Sequence, residues 1–244
     1  MKTSLLLLVT VCLVLLISAS ARKRQRPRPF NYERRSREWI PFQSRTGYTS
    51  DGYPCPVEFG CIKLPDNEDL IPTDVFEREV INVVYNVIYR IDYIGVDMLR
   101  RQLVKYVQNG DMFAAVITAR AGNGTCLTFP NLELGSYDCR ANGRAVITQT
   151  NFNFIGFNGT FSPSFYYLSD HPKDYKILLA CIDSNTIRNG FCEGHFFVNV
   201  GVTQDPPHNP MYYEIETELR RKLGVTMSDP MNTFLYTGEG CPVP

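Results

Sequence analysis

Seven cysteines and three histidines follow residue 21 of this 244-residue chain, and they bound the chemistry it can support. The cysteines are Cys55, Cys61, Cys126, Cys139, Cys181, Cys192 and Cys241, with Cys12 standing in the leader. Their spacings form no two CxxC pairs, so a structural zinc site is not expected. His171, His195 and His208 lie far apart and beside no cysteine or carboxylate cluster at ligand spacing. HExxH, GxSxG, GxxxxGK[ST] and a GxGxxG after a strand are all missing from the sequence. Cysteine–histidine catalysis needs a reduced thiol, which an oxidising compartment opposes. The expectation is a protein that is no enzyme, holds no cofactor or metal, and uses its cysteines as disulfides.

The oxidising compartment is read from the first 21 residues. Lys2 begins them, Leu5 to Ile17 form an apolar core of 13 residues, and Ala19-Ser20-Ala21 is a small-x-small cleavage site. As a helix that core spans roughly 20 Å, short of the ~30 Å of a bilayer interior, so residues 1–21 read as a signal peptide removed after Ala21. The sequons Asn123-Gly-Thr125 and Asn158-Gly-Thr160 make Asn123 and Asn158 candidate glycosylation sites, in keeping with secretion to the extracellular space.

A formal charge of zero conceals an asymmetry. Residues 22–45 hold nine Arg and Lys against Glu33 and Glu38, a charge of +7, while the rest of the chain after the leader is acidic. Residues 22–54 lack apolar periodicity and read as a basic, disordered arm. Three readings of the arm stay open. It binds acidic glycans or a membrane surface, it is cleaved at Arg34-Arg35-Ser36-Arg37 after Arg37, or it is a solvated leader with no specific role. Nucleic acid is a poor partner for an exported chain.

Residues 55–244 are enough for a single domain with a sizeable core. Residues 74–94 read either way, Val, Ile and Tyr favouring strand and Thr73/Asp74 suiting a helix start. Over 96–108, Val96, Leu99, Leu103, Val104 and Val107 recur at three and four, predicting a helix that Gly110 ends. The period then becomes two, predicting strands at 112–120, 126–134, 143–154, 163–170, 175–182 and 194–202. A meander of such strands loses its exposed edges by closing into a barrel. Met211, Ile215, Leu219 and Leu223 predict one more helix, stopped at Gly224, before a last extended piece at 231–237.

Three stretches resemble the lipocalins, and within them the branch containing apolipoprotein D and insect bilin-binding proteins. GTCLTFPNLELGSYDCRANGRAVI (124–147) resembles that branch's second strand, opening on a cysteine, with the turn and third strand after it. SDHPKDYKILLAC (169–181) resembles its acidic-tyrosine turn and following strand, and ETELRRKLGVTMSDPMNTFLYTGEGCPVP (216–244) its closing helix, final strand and Cys-Pro end. The likeness covers roughly 103–244, plus YPCP at 53–56, and is similar to that of divergent nematode lipocalin-related proteins. It implies a mainly β chain: a lipocalin-like antiparallel up-and-down β-barrel with a C-terminal α-helix packed outside. Here an extra N-terminal helical segment precedes the barrel. The resemblance also implies Cys55–Cys181 and Cys126–Cys241 bridges. Cys139–Cys192 is the further pairing expected, leaving Cys61.

Two departures stand out. Gly110-Asp111-Met112 stands where the family's first strand carries Gly-x-Trp, and VNVGVTQDPP (198–207) lacks the arginine that stacks on that tryptophan. The barrel floor is therefore expected to pack differently, and the span from Cys126 to Cys181 looks short by about one strand. Candidate ligand-lining residues are Met112, Ala114 and Val116, Phe165 with Tyr167, and Phe196 with Val198. Which face of each strand points inward is not legible, since one bulge inverts it. The resemblance implies a secreted carrier of a small hydrophobic ligand. The alternative is an extracellular matrix, interaction or signalling protein whose barrel is filled and carries nothing.

Overall fold

The six stretches with period two all become barrel strands, and the two segments before them supply two more. The computed structural model describes residues 61–92, 99–121, 123–150, 161–204, 211–227, 232–233 and 241–242. Apart from Phe161, these belong to one compact unit made of Thr46–Thr150 and Ser162–Pro244. The signal peptide with Ala21, the basic arm with Arg37, Cys55 and the Asn158 sequon lie outside the described residues.

In chain order the elements are β1 (Cys61–Lys63), α1 (Thr73–Glu79), β2 (Val84–Asp92), β3 (Leu99–Asn109), β4 (Met112–Ala121) and β5 (Cys126–Tyr137). There follow β6 (Val146–Thr148), β7 (Ser164–Leu168), β8 (Tyr175–Cys181), β9 (Ile187–Arg188), β10 (Phe191–Glu193), β11 (Phe196–Val202), α2 (Tyr212–Glu218) and β12 (Asn232–Thr233). Strands β2 to β8 and β11 pair antiparallel with their neighbours, and β11 also pairs with β2, closing eight strands into an up-and-down barrel. Register shifts at Val200/Gly201 and at two places between β4 and β5 supply the bends that closure needs. No barrel strand is missing, contrary to the expectation from the Cys126–Cys181 span.

The ambiguous segment divides. Thr73 opens α1, which ends at Glu79, and Asn82 turns the chain at φ 65 into β2. The helix predicted over 96–108 is a strand instead. In β3 both faces carry apolar residues, with Val104 and Tyr106 on one side and Leu103 on the other, all buried. An apolar residue on each face fakes a spacing of three and four. Gly110, at φ 62, is half of the two-residue loop joining Asn109 to its partner Met112, so it makes a hairpin rather than ending a helix. The barrel's first strand is thus β2, and Gly110-Asp111-Met112 falls on the turn from the second strand to the third.

The C-terminal helix forms as its spacing predicts. α2 continues as a π-helical turn over Leu219–Leu223, and Gly224 closes it at φ 72. Ile215, Leu219 and Leu223 share one buried apolar cluster with Tyr89 and Ile91 of β2, Ile177 and Leu179 of β8, and Val198 and Val200 of β11. This packing covers the outside of the barrel where it closes. Glu218 fastens the helix, accepting from the Tyr175 hydroxyl at 2.5 Å and the Asp170 amide at 2.7 Å.

One of the three expected disulfides is present. Cys126 pairs with Cys241 across 115 residues, tying the C-terminal tail to β5. Cys181 pairs with Cys192, not with Cys55, because the β9–β10 hairpin returns Cys192 to the end of β8, 5.9 Å away between Cα atoms. The Cys139–Cys192 pairing fails for the same reason. Cys139 sits in the β5–β6 turn, at the opposite end of the barrel, and is the exposed free cysteine among the described residues. Cys61 is disulfide-bonded to a partner outside the described residues. No helix among the described residues is long and apolar enough to cross a membrane.

Candidate ligand-binding interior

The buried cluster that α2 joins fixes which side chains point into the barrel. Tyr89, Ile177, Leu179, Val198 and Val200 lie beneath the helix and face outward, so their strand neighbours face inward, and register carries that assignment around the barrel. Opposite Asn199 of β11 stand Leu178 of β8 and Arg90 of β2, and beyond Leu178 stands Tyr167 of β7. Opposite Gly201 stand Lys176 and Val87, and beyond Val87 stands Gln102 of β3. Ile88 is the extra residue at the β2 bulge, switching the inward positions from 85 and 87 to 90.

Of the seven expected lining residues, Phe165 and Tyr167 face inward, paired with the inward Ala180 and Leu178. Phe196 and Val198 lie in the outer core against α2. Met112, Ala114 and Val116 share the outer face of β4 with Thr118, whose hydroxyl donates to the carbonyl of Pro242 in the tail. The inward residues of β4 are Phe113, Ala115, Ile117 and Ala119, which alternate with them and stand opposite inward residues of β3 and β5. These five corrections share one cause. Both faces of β4 and β11 are apolar, one toward the interior and the other toward covering chain, so hydrophobicity does not distinguish them.

The interior has a floor and a wall of different character. Phe76 of α1 is fully buried, and its ring packs on Tyr167 at 4.6 Å, Phe113 at 5.9 Å, Tyr137 at 6.3 Å and Tyr106 at 6.5 Å between centroids. These rings come from four strands around the barrel, so Phe76 reaches them all only as a plug in its end. Beside the plug, Lys176 donates to the Tyr106 hydroxyl, with Nζ 4.3 Å from the centre of the Tyr106 ring and 5.4 Å from that of Tyr85. Among the described residues no carboxylate pairs with it, and burial pushes its ammonium down to about 7. Burial likewise pushes the phenols of Tyr85, Tyr106 and Tyr167 up. The floor thus packs a lysine on tyrosine rings.

Above the floor the described part of the wall is mainly apolar. Arg90, Gln102 and Asn199 face inward and are only 6, 6 and 7% exposed. The Arg90 guanidinium lies over the Phe197 ring at 5.4 Å. Gln102 Oε1 and Asn199 Oδ1 accept no hydrogen bond from the protein. Sequence reasoning did not single out these residues. Lys176 left a signal, being the one charge in the apolar run YKILLAC; Gln102 read as a polar position of the helix predicted over 96–108, and Asn199 as an ordinary polar residue of an alternating strand.

No group of three or more histidine, cysteine, aspartate or glutamate side chains among the described residues is arranged to hold a metal. No family model matches the sequence, and no curated protein matches it. Solved structures do match in fold. Apocrustacyanin C1 is similar at 16% identity and a TM-score of 0.52, the match covering 75% of this chain and 94% of that one. Apocrustacyanin C2 is similar at 15% identity and a TM-score of 0.52, with the same coverage. At such identity the likeness establishes a lipocalin-like barrel and nothing finer.

Proposed function

We propose that this chain is a secreted, extracellular carrier that holds a small hydrophobic ligand, such as a lipid, sterol or retinoid, inside its barrel. The observation that carries the reading is the pair of inward amides. Gln102 Oε1 and Asn199 Oδ1 are buried and unpartnered by protein, and a dry, filled core would strand each at about 1–3 kcal/mol. A barrel that admits a guest relieves that cost. Ala115, Ala119 and Ala180, small residues on the inward face, fit such a space, and the plugged floor leaves the other end as the entrance. The bridges accord with an oxidising compartment. Asn123 is exposed in the β4–β5 turn, where a glycan is readily carried. Within the lipocalins we read the chain as a divergent, nematode-type member of the apolipoprotein D-like branch.

The test is the native mass of protein secreted from eukaryotic cells, before and after organic extraction. Loss of one compound of a few hundred daltons is the expected result. No loss, repeated after exposure to a mixed lipid pool, overturns the reading. A second reading, an extracellular matrix or interaction protein with a filled barrel, is favoured by the exposed thiol of Cys139. In that case the basic arm and this thiol make the contacts, with acidic glycans or a membrane surface as partner.

A further inference from the structure

We infer that Lys176 is a covalent capture site, its amine condensing with an apolar aldehyde held in the barrel to form a reversible imine. The inference rests on the carrier reading above and narrows the guest to a hydrophobic molecule ending in an aldehyde. Lys176 stands in register with the inward Gly201 and is fully buried. Lys222, the other buried lysine of the described residues, lies on α2 outside the barrel wall. Its ammonium is 2.9 Å from Asp170 Oδ1 and 3.2 Å from Glu218 Oε2, and those carboxylates keep it a cation. Lys176 faces phenols instead: Tyr85 of β2, Tyr106 of β3, and Tyr167 of β7, whose ring lies 5.3 Å from that of Tyr106. Glu79 of α1 meets the far end of Tyr85, its carbonyl accepting from that hydroxyl at 3.4 Å. Burial without a counter-ion pushes the Lys176 ammonium down to about 7. At about pH 7.5 most of it is therefore neutral amine, against roughly one part in a thousand for an ordinary lysine.

The geometry leaves that amine able to react. Its bond to Tyr106 uses an N–H, so the lone pair of the neutral form stays available for a carbonyl carbon. Access runs down the β4–β5 wall. Tyr106 stands opposite Ala115, and Ala115 opposite Leu132; one row higher, Val104 stands opposite Ile117, and Ile117 opposite Phe129. The inward Ile117, Phe129 and Leu132 are half-buried, whereas β8 and β11 are buried at every position. Open interior thus reaches the level of Tyr106, with only the Ala115 methyl between that ring and Leu132. An aldehyde whose chain lies along Leu132, Phe129 and Ile117 presents its carbonyl carbon toward the floor. There the Nζ lone pair forms the C–N bond, and the carbonyl oxygen leaves as water with the two hydrogens of the amine. The step consumes no oxidant or reductant, and hydrolysis of the imine releases the guest unchanged.

The experiment incubates ligand-free, full-length secreted protein with hexadecanal and cyanoborohydride, which reduces an imine to a stable secondary amine. Peptide mapping at about pH 7.5 should find a hexadecyl group on Lys176, formed at least roughly tenfold faster than on Lys63, Lys105 or Lys173. Labelling of Lys176 in the native protein should be half-maximal at about pH 7, where an ordinary lysine is still climbing, and this readout needs no variant. Lys176→Met should lose the adduct. Retention of hexadecanal without an adduct at Lys176, or labelling spread evenly over Lys63, Lys105 and Lys173, overturns the inference and leaves the carrier reading in place. So does a Lys176 labelling rate that climbs with pH as an ordinary lysine's does. Retention of neither hexadecanal nor hexadecan-1-ol overturns the carrier reading and this inference together.

Discussion

A Cβ atom on Gly201 would lie 2.8 Å from the Cβ of Tyr85 and 3.2 Å from the Cε of Lys176. The missing side chain lets β11 pass close enough to β2 for the lysine to lie against the Tyr85 and Tyr106 rings. Gly201→Ala forces the strands apart at the floor, because the Tyr85 Cβ is fixed to backbone and cannot swing away. We expect a loss of about 1–3 kcal/mol in urea unfolding, the usual cost of overpacking a core. An unchanged midpoint would show that the floor yields without cost.

Lys176 sets the direction of the pH dependence. In the fold its ammonium is pushed down to about 7, and in the unfolded chain it keeps its ordinary 10.5. Between those values the unfolded chain holds a proton that the folded chain has given up, so stability rises with pH from about 7. Below that, both states are protonated and the cost of burying the ammonium is present in full. Above about 10 the phenols of Tyr85, Tyr106 and Tyr167 stay protonated only in the fold, and the slope reverses. Urea midpoints at about pH 6 and about pH 9 should differ in the native protein and coincide in Lys176→Met. A native protein with equal midpoints carries no titrating lysine at its floor.

How much of this was legible beforehand depended on what covered each strand. β5 shows exposed Thr128 and Glu133 between its less exposed Leu127, Phe129 and Leu132, and such strands announce their period. β8 and β11 are buried at every position, because the barrel interior lies on one side and α2 or the β1–β10 region on the other. Their strand character was readable from Val, Ile and Phe content, but their inward face was not, and the expected lining set therefore mixed inner Phe165 with outer Phe196. β3 was misread because Leu103 is buried on the outer face as Val104 is on the inner. The closing helix was legible in full, since its four-residue spacing meets a single surface. The Cys181–Cys192 bridge was not, because only the return of the β9–β10 hairpin brings Cys192 to the end of β8.

The helix clamp gives a third expectation. Glu218 and Lys222 are both buried, Lys222 Nζ lying 3.2 Å from Glu218 Oε2 and 2.9 Å from Asp170 Oδ1. Burial raises the Glu218 pKa, while Tyr175 and Lys222 work against that rise. Glu218→Ala leaves the Tyr175 hydroxyl and the Asp170 amide without their acceptor and Lys222 with half its counter-charge. Removing one partner of a buried pair costs about 3–5 kcal/mol, and that loss should appear in thermal unfolding. Glu218→Gln, which keeps an acceptor but not the charge, should lose less. Equal losses would mean that charge plays no part in holding the helix.

The bridges and the free thiol separate cleanly by experiment. Cys139 is exposed, so an alkylating reagent should label it in the native protein without shifting the unfolding midpoint. Cys181 and Cys192 close a short loop, with a sequence separation of 11, for which the chain-entropy model gives about 3 kcal/mol. Cys181→Ser/Cys192→Ser should therefore cost up to about 3 kcal/mol and loosen the β9–β10 hairpin at the end of β8. It should spare the floor, where Phe76 and Lys176 lie at the other end. Hydrogen exchange reads the difference, as faster exchange in the amides of β10 with those of β3 and β4 near Tyr106 and Phe113 unchanged. Peptide mapping without reduction must recover Cys181 linked to Cys192. Recovery of Cys181 on any other cysteine would remove the hairpin from the end of β8.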